Sequence, residues 1–302
     1  MCVMSKQTNI LSVDLEDWFQ VENYSSIIPR EKWHRCESRV NKNVIRLLDI
    51  FARFEVRATF FVLGWIAERF PDLIRRIANA EHEIASHGWS HVPLWRLTPE
   101  KFAREVNRSR ELLNNLTGQH IGGYRAPTFS ITSKTIWGLR ILAQAGYEYD
   151  SSIFPVHHDR YGIPDAPLGI HWRKEGIWEV PPSVFESAGI RLPVAGGGYF
   201  RLYPRWLTSK AIKKMNAENR PAVVYLHPWE FDPGQPKIKG IGFLANLRHH
   251  VGISRNFEKL SWLLGKFSFA PAREVLASRV GENWKSAASG ASNINSFRSL
   301  NN

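Results

Sequence analysis

RATFFVLGWIAERFPDLIRRIANAEHEIASHG, residues 57–88, changes its apolar rhythm twice. RATFFVLG is a nearly continuous apolar run with β-branched and aromatic residues, which predicts a buried strand. GWIAERFPDLIRRIANA repeats its apolar residues at helical spacing, with an interruption expected before Pro71. HEIASHG then reads as a short strand and its exit. Two strands joined by a helical crossover must run parallel, because a crossover of this length returns the chain to the same end of the sheet. The alternation continues on both sides. ILSVD (10–14) predicts a strand and residues 37–54 a helix. TPEKFAREVNRSRELLNNLTG predicts a helix capped by Thr98, with Pro99 in its first turn and an end near Gly118. HIGGYRAP (120–127), YEYDSS (147–152), GIWEVPPS (176–183) and PAVVYLHP (221–228) are further strands. Residues 133–146, 203–219 and 256–267 are further helices. The expected class is α/β, with a mainly parallel sheet and chemistry at the ends of its strands.

The chain has 302 residues, 43% of them hydrophobic, enough to bury a substantial core. No apolar run is long enough to span a bilayer, and no secretory signal is evident before the first acids, so the cytoplasm is the expected compartment. Cys2 and Cys36 form neither a disulfide framework nor a metal motif. The formal charge of +12 suits an anionic membrane surface or an acidic polymer. The basic residues are spread through helices and no nucleic-acid motif is visible, so nucleic acid is not an expected partner. Residues 155–193 and the glycines at 196–198 predict long loops, and residues 287–302 a disordered tail.

Polar residues gather where strands end: Asp14, His87, Arg125, Asp150 and His227. SVDLEDWFQV (12–21) places three carboxylates at the end of an apolar strand, and such a cluster calls for water, a proton or a cation to offset its repulsion. In HGWSH, His87 and His91 are four apart, so a helical turn would set both imidazoles on one face. Two histidines, a carboxylate and open positions describe a catalytic divalent-metal site. Strand alternation puts Asp14 and Glu16 on one side and Asp17 on the other.

The order of these motifs resembles the NodB-type polysaccharide deacetylases, which are carbohydrate esterase family 4-like enzymes. DLEDWFQV (14–21) and YLHPWEFDPGQP (225–236) are similar to the subgroup associated with exosortase and exopolysaccharide gene clusters. The resemblance implies a distorted (β/α) barrel spanning 8–275 as one catalytic domain, with a family-specific C-terminal part over about 175–275 packed on it. It implies Asp14 as general base, Glu16 or Asp17 with His87 and His91 as metal ligands, and Arg125 holding Asp14. Asp150 is expected to orient the late histidine, His227 to act as general acid, and Leu226 to line a pocket for the acetyl methyl. Trp18, Trp89 and Trp229 border the expected sugar cleft, and Trp95 is a further candidate. Zinc is the expected metal, with Co, Ni, Mn or Fe as alternatives. HEIASH follows the family pattern except that Glu81 stands where Gly is usual. The implied function is removal of N-acetyl groups from an amino-sugar polysaccharide or its precursor during exopolysaccharide biosynthesis; the absence of a signal segment and the charge of +12 add the cytoplasm and peripheral contact with an anionic membrane as the expected setting. Allantoinase-like cyclic-amide hydrolysis, O-acetyl ester hydrolysis and a non-catalytic carbohydrate-binding scaffold are the alternatives.

Overall fold

The computed structural model describes residues 7–281 and Trp284, apart from positions 195, 239 and 241. The tail expected at 287–302 lies outside the described residues. The first part of the chain runs β1 (Thr8–Leu15), α1 (Val40–Arg53), β2 (Thr59–Val62), α2 (Gly64–Arg69), α3 (Pro71–Asn79) and β3 (Glu83–Ser86). It continues through α4 (Pro99–Thr117), β4 (Gly123–Tyr124), α5 (Trp137–Gln144) and β5 (Tyr149–Asp150). After β5 come β6 (His171–Arg173), β7 (Ile177–Glu179), β8 (Val184–Ser187), β9 (Ile190–Pro193), α6 (Gly197–Leu202) and α7 (Arg205–Ala217). The last elements are β10 (Val223–Leu226), α8 (Phe243–His250), α9 (Asn256–Lys266), β11 (Ser268–Ala270) and α10 (Ala272–Val280).

One sheet in the order β10-β1-β2-β3-β4-β5-β7-β6, with β11 also paired to β1, curls into a half-barrel, a distorted (β/α) barrel. All its pairings are parallel except β6 with β7; β8 and β9 form a separate hairpin. Alternation divides each strand between two layers. Leu11, Val13, Phe60, Val62, Val224 and Leu226 join the main core against the helices. Ile10, Phe61, Tyr149 and Val223 face the other way and are covered by Ala272, Val275 and Leu276 of α10. The inner face thus closes at the amino end of the strands and stays polar at the carboxyl end, where Ser12 and Asp14 follow Ile10.

The crossover in the opening stretch breaks at Phe70, and Pro71 starts α3, where its missing N–H costs nothing. Thr98 caps α4 by accepting from Lys101 N at 3.3 Å, and Gly118 closes it at φ 67°. Glu81 has φ 59°, a left-handed conformation that glycine adopts without strain. HGWSH is not helical. It is a loop in which Gly88 (φ 76°) and His91 (φ 53°) are both left-handed. Tight reversal, not helical periodicity, brings the two imidazoles together.

Candidate active site

β1 delivers three acids to two different places. Asp14 and Glu16 point into the open end of the half-barrel, and both are almost fully buried. Glu16 Oε1 lies 2.8 Å from His91 Nε2 and 3.1 Å from His87 Nε2. The ligand atoms of these three residues all lie within 4.8 Å of one another. His87 Nδ1 is 2.8 Å from the Arg125 carbonyl, so it carries the proton and donates it there. Nε2 faces a carboxylate oxygen across the cluster, and a proton or a cation between them would satisfy both. Burial pushes the Glu16 carboxyl up, but His91 and His87 outweigh it and hold it well below the usual range. This set fits a divalent metal. The loop is pinned by Gly64 N to Gly88 O at 2.9 Å and Trp65 N to Trp89 O at 3.0 Å.

Asp17 turns away, as strand alternation predicts, and is not part of this cluster. Its Oδ1 accepts from Trp18 N at 2.9 Å, and its Oδ2 accepts from Ser38 Oγ (2.5 Å), Arg39 N (2.9 Å) and Val40 N (3.2 Å). It caps its own short turn and the start of α1 together, which accounts for all of its neighbours.

Arg125, at the end of β4, is 1% exposed. Its Nη1 donates to Asp14 Oδ1 at 2.6 Å and Ser12 Oγ at 2.9 Å, while Nε and Nη2 donate to Ser151 O and Oγ at 3.1 and 2.8 Å. Asp14 Oδ2 looks instead toward His227 Nε2, 3.9 Å away. The other ring nitrogen of His227, Nδ1, lies 3.2 Å from Glu230 Oε2. Burial pulls the His227 imidazole down, but Glu230, Glu16 and Asp14 together push it up to about 9.

Asp150, expected beside His227, is occupied elsewhere. Ser152 N and Oγ donate to it at 3.0 and 2.6 Å, and it pairs with Glu179 at the end of β7. Burial pushes both carboxyls up, Glu179 well above its ordinary value and further through its Asp150 neighbour, which favours a proton shared between the two. Leu226 is fully buried with Val13 in the main core, opposite the face carrying Asp14, so it does not line the cleft. Trp18 is buried and donates through Nε1 to Glu37 O at 3.0 Å. Trp89 lies under the Arg108 guanidinium, 3.4 Å from the ring centre, and packs on Gly64. Trp229 stacks between His227 and His249, with ring centres 5.3 and 4.4 Å away. Glu230 is the site residue that sequence reading missed. Its signal was the three-residue spacing in HPWE, since positions i and i+3 eclipse in a 3₁₀ turn.

On the same edge, the loops after β1, β3, β4, β5 and β10 border an open groove of about 890 Å³, which Asp14, Glu16, His87, His91, Arg125 and His227 do not line. Glu22, Trp95, Arg96, Lys134, Arg160 and Tyr161 line it. Trp95 is 39% exposed. The groove is roomy, polar and carries an accessible aromatic face.

Residues 36–149 match the polysaccharide deacetylase family, and residues 151–277 match a domain of unknown function, DUF3473. The chain carries a polysaccharide deacetylase domain joined to a DUF3473 domain. The chain is similar to a chitooligosaccharide deacetylase of Rhizobium leguminosarum bv. trifolii, 34% identical over 147 residues, which are 47% of this chain and 59% of the relative. It is also similar to a peptidoglycan deacetylase of Helicobacter pylori, 32% identical over 114 residues, 38% of this chain and 37% of the relative. The chain therefore spans less than two thirds of either relative. A solved structure from Mycobacterium smegmatis, assigned as a polysaccharide deacetylase, superposes with a TM-score of 0.54 at 23% identity over 91% of each chain, which shows the shared fold. The deacetylase match contains His87, His91 and Arg125, whereas Glu179, His227 and Glu230 come from the DUF3473 domain. β1, with Asp14 and Glu16, precedes both.

Proposed function

We propose that this protein is a metal-dependent hydrolase that removes N-acetyl groups from an amino-sugar glycan or its precursor. The observation that carries this reading is the convergence, at one strand edge, of the Glu16–His87–His91 cluster, the Asp14–Arg125 pair and His227. A divalent ion held by the cluster would polarise the acetyl carbonyl and make bound water acidic. Asp14 takes a proton from the attacking water through Oδ2, while Arg125 keeps Oδ1 fixed. His227 gives the proton on Nε2 to the departing nitrogen as the C–N bond breaks. One water is consumed, and acetate and a free amine leave. The accessible face of Trp95, in an open groove on the same strand edge, suits a sugar ring and supports a glycan as the substrate.

We assign the activity to exopolysaccharide biosynthesis in the cytoplasm, with peripheral contact to anionic membrane. Support comes from the resemblance of DLEDWFQV and YLHPWEFDPGQP to that subgroup and from the charge of +12. The test is acetate release from N-acetylglucosamine oligomers by untreated, chelated and zinc- or cobalt-restored protein. Release should vanish on chelation and return with metal, and Asp14→Asn should lower it ~100-fold or more. Metal-loaded protein that releases no acetate from any acetylated glycan would overturn the assignment.

A further inference from the structure

The 3₁₀ turn Pro228–Phe231 follows β10 directly, so Glu230 lies one turn below His227. Glu230 Oε2 accepts from the His227 backbone N at 2.9 Å and lies 3.2 Å from Nδ1, a buried ring nitrogen with no hydrogen-bond partner, so the carboxylate meets it as an ion-pair contact. Its Oε1 accepts from Arg201 Nε, on α6, at 2.9 Å. Arg201 Nη1 donates to the carbonyls of His249 and Val251, both at 2.7 Å. Glu230 is 0% exposed and Arg201 9%. A carboxylate this deep would take up a proton without a cation beside it, and Arg201 and His227 together keep its pKa low against the pull of burial. The Trp229 indole lies within 24° of parallel to the His227 ring and fixes its plane. Every part of this arrangement lies within residues 151–277. Asp150, bound by Ser152 and Glu179, does not contribute to it.

We propose that the DUF3473 domain builds the proton-donating half of the active site: Glu230, clamped by Arg201, sets its carboxylate against His227 Nδ1 and so leaves Nε2 facing Asp14. This rests on the hydrolase reading for the role of His227, but the link between Glu230 and His227 is testable without it. The groups that face the imidazole are Asp14 of β1 and Glu16 just after it, Glu230 of its own turn, and His249 of α8 beyond Trp229.

The decisive experiment combines ¹⁵N-histidine NMR and kinetics on the zinc-loaded full chain. In the native protein the His227 Nδ1–H resonance should be shifted far downfield. Glu230→Gln should remove that shift and lower the midpoint of the His227 titration, while Asp150→Asn leaves both in place. In kinetics, Glu230→Gln should lower kcat on the amide substrate ~100-fold, move its basic limb to lower pH and leave KM within about twofold. Hydrolysis of an aryl acetate, whose phenolate leaves without a proton, should fall by less than ~10-fold. Zinc stoichiometry should be unchanged, Glu230→Asp should recover part of the rate, and Arg201→Met should act in the same direction as Glu230→Gln. A resonance that responds to Asp150→Asn but not to Glu230→Gln would overturn the proposal, as would equal loss on both substrates or loss of zinc. Wild-type protein that hydrolyses neither substrate would sink the hydrolase reading alone, because the resonance still decides the Glu230–His227 link.

Discussion

Asp14, Glu16 and Asp17 lie within four residues, yet the strand pleat gives them separate tasks. Strand alternation in the sequence already separated Asp17 from the other two; which acid meets the histidines depended on a loop whose left-handed residues no periodicity reveals. The separation predicts a clean contrast. Glu16→Gln should abolish tight zinc binding in a calorimetric titration with little change in urea stability. Asp17→Ala should leave zinc stoichiometry intact and cost about 2 kcal/mol, because two helix starts lose their acceptor. The Asp150–Glu179 pair gives a pH dependence. Its folded carboxyl pKa values are raised, so the stability it contributes is complete below the ordinary carboxylate range and is lost as pH rises through the folded values. Glu179→Gln mimics the protonated form, and chemical denaturation should show its stability falling less steeply than the wild type's as pH rises through about 6 and above.

Among elements, the segment from β3 to α4 shows where pattern reading succeeds and where it stops. β3, the α2–α3 break and the Thr98 cap follow from alternation, proline and capping chemistry. The loop between β3 and α4 that carries His87 and His91 does not, because its shape comes from contacts with α2, distant in sequence. Gly64 is the closest of these contacts: an added Cβ would meet Trp89 Cε3 at 2.6 Å. Trp89, expected in the cleft, is thus a wedge that seats the loop. Gly64→Ala should weaken zinc affinity in the titration that Asp17→Ala leaves unmoved, and should destabilise the fold by about 1–3 kcal/mol through overpacking. Trp95, a few residues after His91, is the accessible aromatic. Trp95→Ala should raise KM for oligomers several-fold, on the order of one lost sugar–aromatic contact, without changing kcat. A KM shift equal on monomer and oligomer would place Trp95 outside the polymer track.

At the scale of the whole molecule, the two family matches meet at Tyr149–Asp150, inside a strand of the shared sheet. Residues 151–277 supply β7, β10 and β11, which pair with β5 and β1, so neither half closes the half-barrel alone. The full chain should unfold in one cooperative transition by denaturant, and a chain ending at 150 should be largely unfolded by circular dichroism and amide exchange; two separate transitions would contradict a shared core. The alternating strands and helices made the α/β class legible. The dependence of one half on the other was not, since parallel pairings between β1 and β10 leave no local mark in the sequence.

The pairing of β1 with β10 also sets an order of events during synthesis. Ser12 and Val224 are 212 residues apart yet joined by a hydrogen bond. By the time His91 leaves the ribosome, every metal ligand has emerged, while the edge of β1 that β10 will occupy is still bare. These side chains are not yet held together, because the nascent chain lacks the strands that close the sheet, and its β1 segment stays unpaired along this edge for most of translation. Its most aggregation-prone interval and its catalytically silent interval end together, when residues 223–230 dock.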